Sequence, residues 1–180
     1  MAAPLDGKKI AFLVANEGIE QVELTTPWSA VENAGAIPYL LAPRMGRAQA
    51  FNHLDKADTF DVDLPVADVH PEDYDALVLP GGVANPDQLR TNPAAVAFAR
   101  DFVGSGRPVA VICHGPWTLV EAGVVADRTL TSWPSLRTDI ENAGGTWVDE
   151  QVHVDGNLIS SRNPDDLDAF CKTLVDQIAS

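Results

Sequence analysis

The sequence contains few cysteines, few basic residues and no long apolar run, and each shortage excludes a class of protein. Two cysteines among 180 residues, Cys113 and Cys171, cannot build a disulfide framework and indicate a reducing, cytoplasmic compartment. The 12 basic residues stand against 26 acidic ones, which gives a formal net charge of −14. Because such a surface repels phosphate groups, neither nucleic acid nor an anionic membrane is expected as a partner.

The sequence also lacks the patterns of a membrane span, a secretory signal and a metal site. No apolar run approaches the length of a membrane span, and the run that follows Lys8 and Lys9 is too short for the core of a secretory signal. The four histidines are scattered along the chain, so no metal-ligand cluster is predicted, and no cofactor is predicted either. The apolar fraction of 46% and the length suit one globular domain over residues 1–180.

Apolar runs and helical periodicities alternate along the chain. Continuous β-prone apolar runs predict buried strands at residues 8–15, 36–43, 73–82 and 107–113. Apolar residues at helical spacing, with proline or glycine near several ends, predict helices at residues 19–35, 92–106, 115–123, 134–145 and 163–179. Shorter signals predict a small hairpin or excursion at the sheet edge within 44–70, a strand at 128–133 and a hairpin turning at Asp155-Gly156.

This alternation predicts an α/β fold, a flavodoxin-like three-layer sandwich. Its sheet is expected to be mostly parallel and doubly wound, with helices on both faces. Ligands of such sheets bind beyond the carboxyl ends of the strands. Three loops leave such ends, VANEGIE after the first strand, LPGGVANPD after the third core strand and VICHGPW after the fourth. We therefore expect these loops to converge on one crevice.

Cys113 occupies the junction between a predicted strand and a predicted helix. The position resembles a nucleophile elbow, where a sharp turn presents the nucleophile at a helix N-terminus. A thiol in that setting has a lowered pKa, and its thiolate is the reactive form. Taken alone, Cys113 would be interpreted as a small apolar residue that ends a core strand, as free cysteines usually are. The elbow, the adjacent His114 and the Gly81-Gly82 turn together favour a nucleophile.

His114 is the nearest candidate base for Cys113, although neighbours along a sharp turn often point in different directions. Its alternative role is to satisfy backbone groups at the turn. The N–H groups of His114 and Gly82, next to Gly81, are candidates for an oxyanion hole. Gly115 allows the tight turn and the close approach of a substrate.

Acidic residues supply the other candidates. Glu17, Glu20 and Glu23 lie in the first loop and the start of its helix, where acidic side chains commonly complement the helix dipole. Glu23 lies one turn beyond Glu20, and if that face looks into the crevice it meets the Cys113 sulfur. A carboxyl group desolvated beside a thiolate has a raised pKa and, when protonated, can donate a hydrogen bond to the sulfur. Asp87 is a second candidate acid, or else it simply begins a helix.

Five stretches of the chain resemble the ThiJ/PfpI superfamily within the class I glutamine amidotransferase-like fold. The resemblance is to the PfpI-type branch, known as intracellular protease or general stress protein, and covers nearly the whole sequence. The stretches are NEGIEQVELTTP (16–27), YDALVLPGGVANPDQLR (74–90), RPVAVICHGPWTLVEAGVV (107–125), RTLTSWPSLRTDIENAGGTWVDE (128–150) and VDGNLISSRNPDDLDAFC (154–171).

This resemblance implies roles for individual residues. Cys113 matches the nucleophile of the family, His114 its partner, and Glu23 the glutamate that hydrogen-bonds the sulfur. In PfpI-type assemblies an acidic residue after the Pro-Gly-Gly turn reaches the histidine across a subunit interface. Asp87 is the nearest match, although the loop here carries one extra residue and an Asp in place of a Glu. The resemblance also implies a homo-oligomer, a dimer or a larger ring of dimers.

Two main functions remain open from the sequence. In the first, the protein is a cysteine-dependent hydrolase-like stress protein, in which Cys113 attacks a small carbonyl or peptide substrate with peptidase, deglycase or glyoxalase-type chemistry. In the second, it is a redox sensor or oxidative-stress-protective protein whose Cys113 is oxidised to a sulfenic or sulfinic acid stabilised by Glu23. A structural or chaperone-like dimer that merely keeps the fold is a third reading. Glutamine amidotransferase activity is not implied, because the late catalytic histidine and glutamate of those domains are not recognisable.

Overall fold

A central sheet of seven strands organises the protein, which the computed structural model describes over residues 3–180. The strands, in chain order, are β1 (Lys9–Leu13), β2 (Glu17–Glu20), β3 (Ile37–Ala42), β4 (Arg47–Asn52), β5 (Asp55–Asp61), β6 (Leu64–Pro65), β7 (Ala76–Leu79), β8 (Val109–Ile112), β9 (Thr129–Leu130), β10 (Thr146–Trp147), β11 (Val152–Asp155) and β12 (Leu158–Ser161). The helices are α1 (Gln21–Asn33), α2 (Ala84–Leu89), α3 (Pro93–Gly104), α4 (Pro116–Glu121), α5 (Arg137–Asn142) and α6 (Leu167–Ala179).

The strand order of the central sheet is β11-β12-β8-β7-β1-β3-β6. Every neighbouring pair is parallel except the β11-β12 hairpin, which turns after Asp155 at one edge of the sheet. The chain adds β3 on one side of β1 and β7 and β8 on the other, so it winds outward in both directions. This order confirms the mostly parallel, doubly wound sheet that the sequence predicts.

Apolar layers cover both faces of this sheet. Phe12 of β1 belongs to one layer together with Phe170 of α6. Its neighbour Leu13 points to the opposite face and belongs to a layer with Phe102 of α3 and Leu119 of α4. Because successive strand residues alternate between faces, one strand can anchor helices on both sides. The arrangement confirms the three-layer α/β sandwich.

The first predicted helix begins later than expected. Residues 19 and 20 belong to β2, and α1 starts at Gln21. In a separate three-stranded sheet, β2 pairs with β4, which in turn pairs with β5. The predicted excursion at 44–70 therefore forms a second sheet, and Leu64–Pro65 alone of that segment joins the central one. Pairing with β4 overrides the helical spacing of residues 19 and 20.

Several other predicted bounds are wrong, because part of each predicted element forms irregular chain or a 3-10 turn. The predicted strand at 128–133 is reduced to β9, which pairs with β10 outside the central sheet. The predicted helices at 134–145 and 163–179 open with 3-10 turns before α5 and α6 begin. The Asn163 side chain accepts the Asp165 N–H and so favours a turn over the start of an α-helix. Across residues 3–180, no helix combines the length and apolar character needed to cross a bilayer.

Candidate functional site

Cys113 lies at a strained corner just beyond the end of β8. Its φ of 61° is in the left-handed region, which costs a residue with a side chain roughly 1–2 kcal/mol. The corner is held on three sides, because the Cys113 N–H donates to the Ser161 carbonyl, the Cys113 carbonyl accepts from Trp133 N–H, and Gly115 N–H donates to the Ile112 carbonyl. The sharp strand-to-helix turn predicted at this position is therefore present.

A cavity of about 250 Å³ opens at this corner. The segments after β7 and β8 converge there as predicted, and the predicted first loop contributes Glu20, which belongs to β2 in the structure. The start of α1, the turn between β4 and β5, and the loops after β9 and β12 complete the cavity. The residues that line it are Glu20, Glu23, His53, Leu54, Gly82, Val83, Cys113, His114, Trp133 and Pro164. Among residues 3–180, no group of three or more histidine, cysteine or acidic side chains is arranged to hold a metal ion.

The His114 ring is held against the thiol by two aromatic rings. Its Nδ1 atom lies 3.1 Å from Cys113 Sγ. Trp133 stacks on the imidazole with centroids 5.7 Å apart and an interplanar angle of 21°, and Trp117 approaches edge-on at 5.3 Å. Burial lowers the pKa of His114, so the ring is neutral at neutral pH and can accept a proton. Sequence neighbours at this turn thus meet through their side chains.

Glu23 is fully buried beside Cys113. Its Oε2 atom accepts the Gly81 N–H at 2.8 Å, whereas Oε1 has no hydrogen-bond partner by distance and angle. Desolvation raises the pKa of Glu23 to about 8, the charge of Glu20 adds to the rise, and hydrogen bonds from Gly81 and with Cys113 oppose it. The Glu23 carboxyl group is consequently protonated at neutral pH, and its unpaired oxygen is available as a donor.

The electrostatics of the thiol differ from the expectation of a simple lowered pKa. Burial raises the pKa of Cys113, and an ionised Glu23 raises it further. Hydrogen bonds from the backbone N–H groups of Gly82 and His114 lower it. These two donors do not offset the loss of water around the sulfur. The backbone donors still favour ionisation of the thiol, and the neutral imidazole of His114 lies within reach of its proton.

The three predicted glycines occupy different positions. A Cβ atom at Gly81 would lie 2.6 Å from Cys113 Cβ, so the backbone reaches the thiol only because this residue is glycine. Gly82 has a φ of 88° and directs its N–H at the sulfur. Gly115 packs beneath the corner, where a Cβ would lie 2.8 Å from the Leu79 carbonyl oxygen. Gly115 thus serves the packing of the turn, whereas Gly81 and Gly82 border the sulfur.

Asp87 does not reach the Cys113 cavity within its own chain. It is exposed on α2 and lines a separate shallow depression with Arg90 and Glu121. Arg90 lies 3.4 Å from Glu121 and also covers the ring of Trp117. A role for Asp87 at His114 therefore requires a second subunit, and that role stays a prediction.

Asn85 was not singled out from the sequence, although it organises the loops of the site. It is 1% exposed. Its Oδ1 atom accepts the Ala15 N–H at 2.7 Å, and its Nδ2 atom donates to the carbonyls of Pro80 and Gly81 at 3.0 Å. One side chain thus ties the end of β1 to the Gly81-Gly82 turn. A signal was available in the sequence, because an amide side chain lies three residues after the glycine turn.

Comparisons with known proteins agree with this architecture. The model of the DJ-1/PfpI family matches residues 8–177. A deglycase of Pyrococcus horikoshii is 44% identical over 167 residues, which cover 93% of this chain and 97% of the relative. Deglycase PfpI of Pyrococcus furiosus is 43% identical over 167 residues with the same coverage. The crystal structure of Drosophila melanogaster DJ-1beta superposes with a TM-score of 0.86 at 26% identity, over 96% of this chain and 91% of that one.

The raised pKa of Glu23 predicts a stability that falls with pH. An ordinary glutamate ionises near pH 4.5 and the folded one near pH 8, so between these values the unfolded state binds fewer protons than the folded state. The contribution of this group is complete below pH 4.5 and is lost as the pH rises to about 8. Relative to wild type, Glu23→Gln should gain up to about 1.4 kcal/mol of unfolding free energy per pH unit in this window. Urea unfolding of both proteins measures the difference.

The matched control for this prediction is Glu32→Gln, an exposed carboxyl group on the same helix. Its stability should follow the wild-type pH profile. A difference between Glu23→Gln and wild type that stays constant across the window would show that Glu23 is ionised in the folded protein.

Asn85→Ala should destabilise the fold by about 3 kcal/mol, because it leaves the Ala15 N–H and the Pro80 carbonyl without partners and removes one of two donors to the Gly81 carbonyl. Asn142→Ala, an exposed change at the end of α5, should alter the unfolding free energy by less than about 0.5 kcal/mol. Denaturant unfolding at one pH compares them. Equal effects of the two substitutions would contradict the structural role of Asn85.

Proposed function

The chain belongs to the DJ-1/PfpI family, and from this premise we propose that it is a cytoplasmic, cysteine-dependent deglycase. Its substrates are adducts that small dicarbonyl compounds form with thiols and amines, and Cys113 is its nucleophile. The observation that carries the proposal is the 3.1 Å contact between Cys113 Sγ and a neutral His114 in a cavity open to substrate. Relatives of 44% and 43% identity that are named deglycases support the same reaction class. Two free cysteines are consistent with a reducing compartment.

Proton transfer to His114 is the first step of the proposed reaction. The buried thiol does not ionise readily by itself, because burial raises its pKa. As the sulfur attacks the carbonyl carbon of the adduct, the thiol proton moves to the Nδ1 atom of His114, which is neutral and within reach. The stacked ring of Trp133 and the edge-on ring of Trp117 keep the imidazole in this orientation. The same imidazole then returns the proton to the departing thiol or amine.

Two sets of donors stabilise the charge that develops during this attack. The π electrons of the carbonyl move onto its oxygen, which is placed to accept hydrogen bonds from the N–H groups of Gly82 and His114. The protonated Glu23 adds a donor whose Oε1 atom has no other partner.

When the thiol or amine leaves, the carbon that carried it becomes an aldehyde, which adds one water. The hydrogen of that carbon then moves as a hydride to the neighbouring carbon bonded to Cys113, the C–S bond breaks and the thiol is regenerated. Overall, an adduct of methylglyoxal plus one water gives the free thiol or amine and a 2-hydroxy acid, because one carbon is oxidised while its neighbour is reduced. The reaction is redox-neutral and uses no cofactor.

A second candidate function is oxidation of Cys113 by peroxide. The thiolate would attack one peroxide oxygen, giving a sulfenic acid and water, and a second peroxide would give the sulfinic acid. The unpaired, protonated Oε1 of Glu23 favours this alternative, because it can donate a hydrogen bond to an oxygen on the sulfur. In either function, the protonated Oε1 of Glu23 can therefore donate a hydrogen bond to a negatively charged oxygen next to the sulfur.

The homo-oligomer predicted from the sequence is part of the proposal. Asp87 is exposed on α2 and is free to approach the His114 of another subunit. Arg90 and Glu121 next to it supply both signs of charge to such an interface. In that assembly Asp87 would orient His114 from outside its own chain.

Cys113→Ser should abolish the turnover of a hemithioacetal formed from methylglyoxal and 2-mercaptoethanol, with a loss of at least about a hundredfold in kcat/KM. Cys171→Ser, a change at the other buried cysteine on α6, should keep the wild-type activity. Release of lactate over time measures both, and a peptide substrate provides a parallel assay for peptidase activity.

Full activity of Cys113→Ser would contradict the nucleophilic role. If wild type turns over neither substrate while peroxide adds one or two oxygen atoms to Cys113 by mass spectrometry, the deglycase proposal is overturned in favour of the redox function.

A further inference from the structure

Glu20 is a buried carboxyl group on the cavity wall, and its basic neighbour is the solvent-exposed His53. The residue is 9% exposed. Its two oxygens share a single donor, the His53 N–H, at 3.1 and 3.4 Å. The His53 ring lies 4.0 Å away, with its side chain 88% exposed to solvent. Buried carboxylates are normally paired with a cation or fully hydrogen-bonded, because desolvation without compensation is costly. The remaining acceptor positions of the Glu20 carboxylate are therefore available to hydrogen bonds from a cationic ligand.

The rest of the cavity lining also offers more hydrogen-bond acceptors of negative charge than cationic side chains. Among residues 3–180, those lining it include two carboxyl groups and neither lysine nor arginine. Glu23 is fully buried and presents an Oε1 atom without a partner. These features point to a ligand that donates hydrogen bonds and carries positive charge. An anionic ligand would meet Glu20 with no lysine or arginine among the described lining residues to compensate its charge.

Trp133 provides a second means of holding a cation. Trp133 is 40% exposed and lines the cavity. One face of its indole ring stacks on the His114 imidazole. An indole ring attracts alkylammonium and guanidinium groups through its quadrupole, by about 0.5–2 kcal/mol depending on desolvation. A cation bound by Glu20 can therefore also lie against an aromatic surface within the same cavity.

We propose that the cavity selects substrates with a positive charge close to the reacting carbon, and that Glu20 binds this charge. The inference deepens the proposed deglycase function and rests on it for the identity of the reaction. The substrate class is a dicarbonyl adduct attached to an alkylammonium or guanidinium compound. Glu20 is then a specificity-determining residue, and anionic adducts are poor substrates.

The overall charge of −14 offers a competing explanation, because any acidic protein attracts cations. A substitution of Glu17 distinguishes binding by Glu20 from attraction by the overall charge. Glu17 lies on the same strand as Glu20 and carries the same charge, but it is half exposed, is 4.0 Å from Lys56 and does not line the cavity. Glu17→Gln and Glu20→Gln change the net charge equally, whereas only Glu20→Gln removes the charge in the cavity wall. Glutamine also keeps an oxygen that can accept the His53 N–H.

Charged thiol reagents measure the selectivity without any turnover. Three methanethiosulfonates of similar size carry 2-(trimethylammonium)ethyl, 2-hydroxyethyl or 2-sulfonatoethyl groups. In each, the Cys113 sulfur attacks the sulfenyl sulfur, a disulfide forms and methanesulfinate leaves. The rate at Cys113 is followed by peptide mass spectrometry and divided by the rate of the same reagent with free 2-mercaptoethanol. Any change in the ionisation of Cys113 affects all three reagents equally and cancels in their ratio.

The normalised cation-to-anion ratio should be about tenfold or more in wild type. It should fall about fivefold or more in Glu20→Gln and stay within about twofold of wild type in Glu17→Gln. A ratio near one in wild type, or equal decreases in both variants, would overturn the proposal. Because the assay needs no catalysis, a failure of the deglycase proposal would appear separately, in the Cys113→Ser comparison.

Discussion

The burial of the Glu23 carboxyl group between Gly81 and Cys113 is the interaction on which the site depends. Its Oε2 atom accepts the Gly81 N–H, and this contact fixes the loop that brings the Gly82 N–H to the sulfur. A charged group in this position would lose its hydration, and the burial that raises the pKa of Glu23 to about 8 favours the protonated form. The protein thereby places a neutral hydrogen-bond donor beside its thiol. Both functions considered for Cys113 require such a donor.

The sheet explains how residues so distant in sequence reach this point. Parallel strands deliver the ends of β1, β7 and β8 to one edge, and the second sheet brings β2 and the β4-β5 turn over the same edge. Glu20 and His53 enter the cavity wall through this second sheet. Asn85 then joins the end of β1 to the glycine turn by three hydrogen bonds. The rigidity of the corner therefore comes from several loops that constrain one another.

Much of this architecture could be predicted from the sequence. Continuous apolar runs located the core strands, and the strand-to-helix junction at Cys113 identified the corner, because both depend on local patterns. The parts that were missed depend on tertiary pairing. Residues 19 and 20 have helical spacing, yet they pair with β4, and nothing local reveals that partner. The direction of the Cys113 pKa also could not be predicted, since it depends on how completely water is removed from the sulfur.

Infrared difference spectroscopy of wild type against Glu23→Gln tests the central claim most directly. A protonated carboxyl group has a carbonyl stretching band well separated from the bands of carboxylates. The account predicts that this band is present in wild type at neutral pH, disappears as the pH rises through about 8 and is absent from Glu23→Gln. If the difference spectrum at neutral pH contains carboxylate bands alone, Glu23 is ionised and cannot donate to the sulfur or to an oxyanion, and the account of the site is wrong.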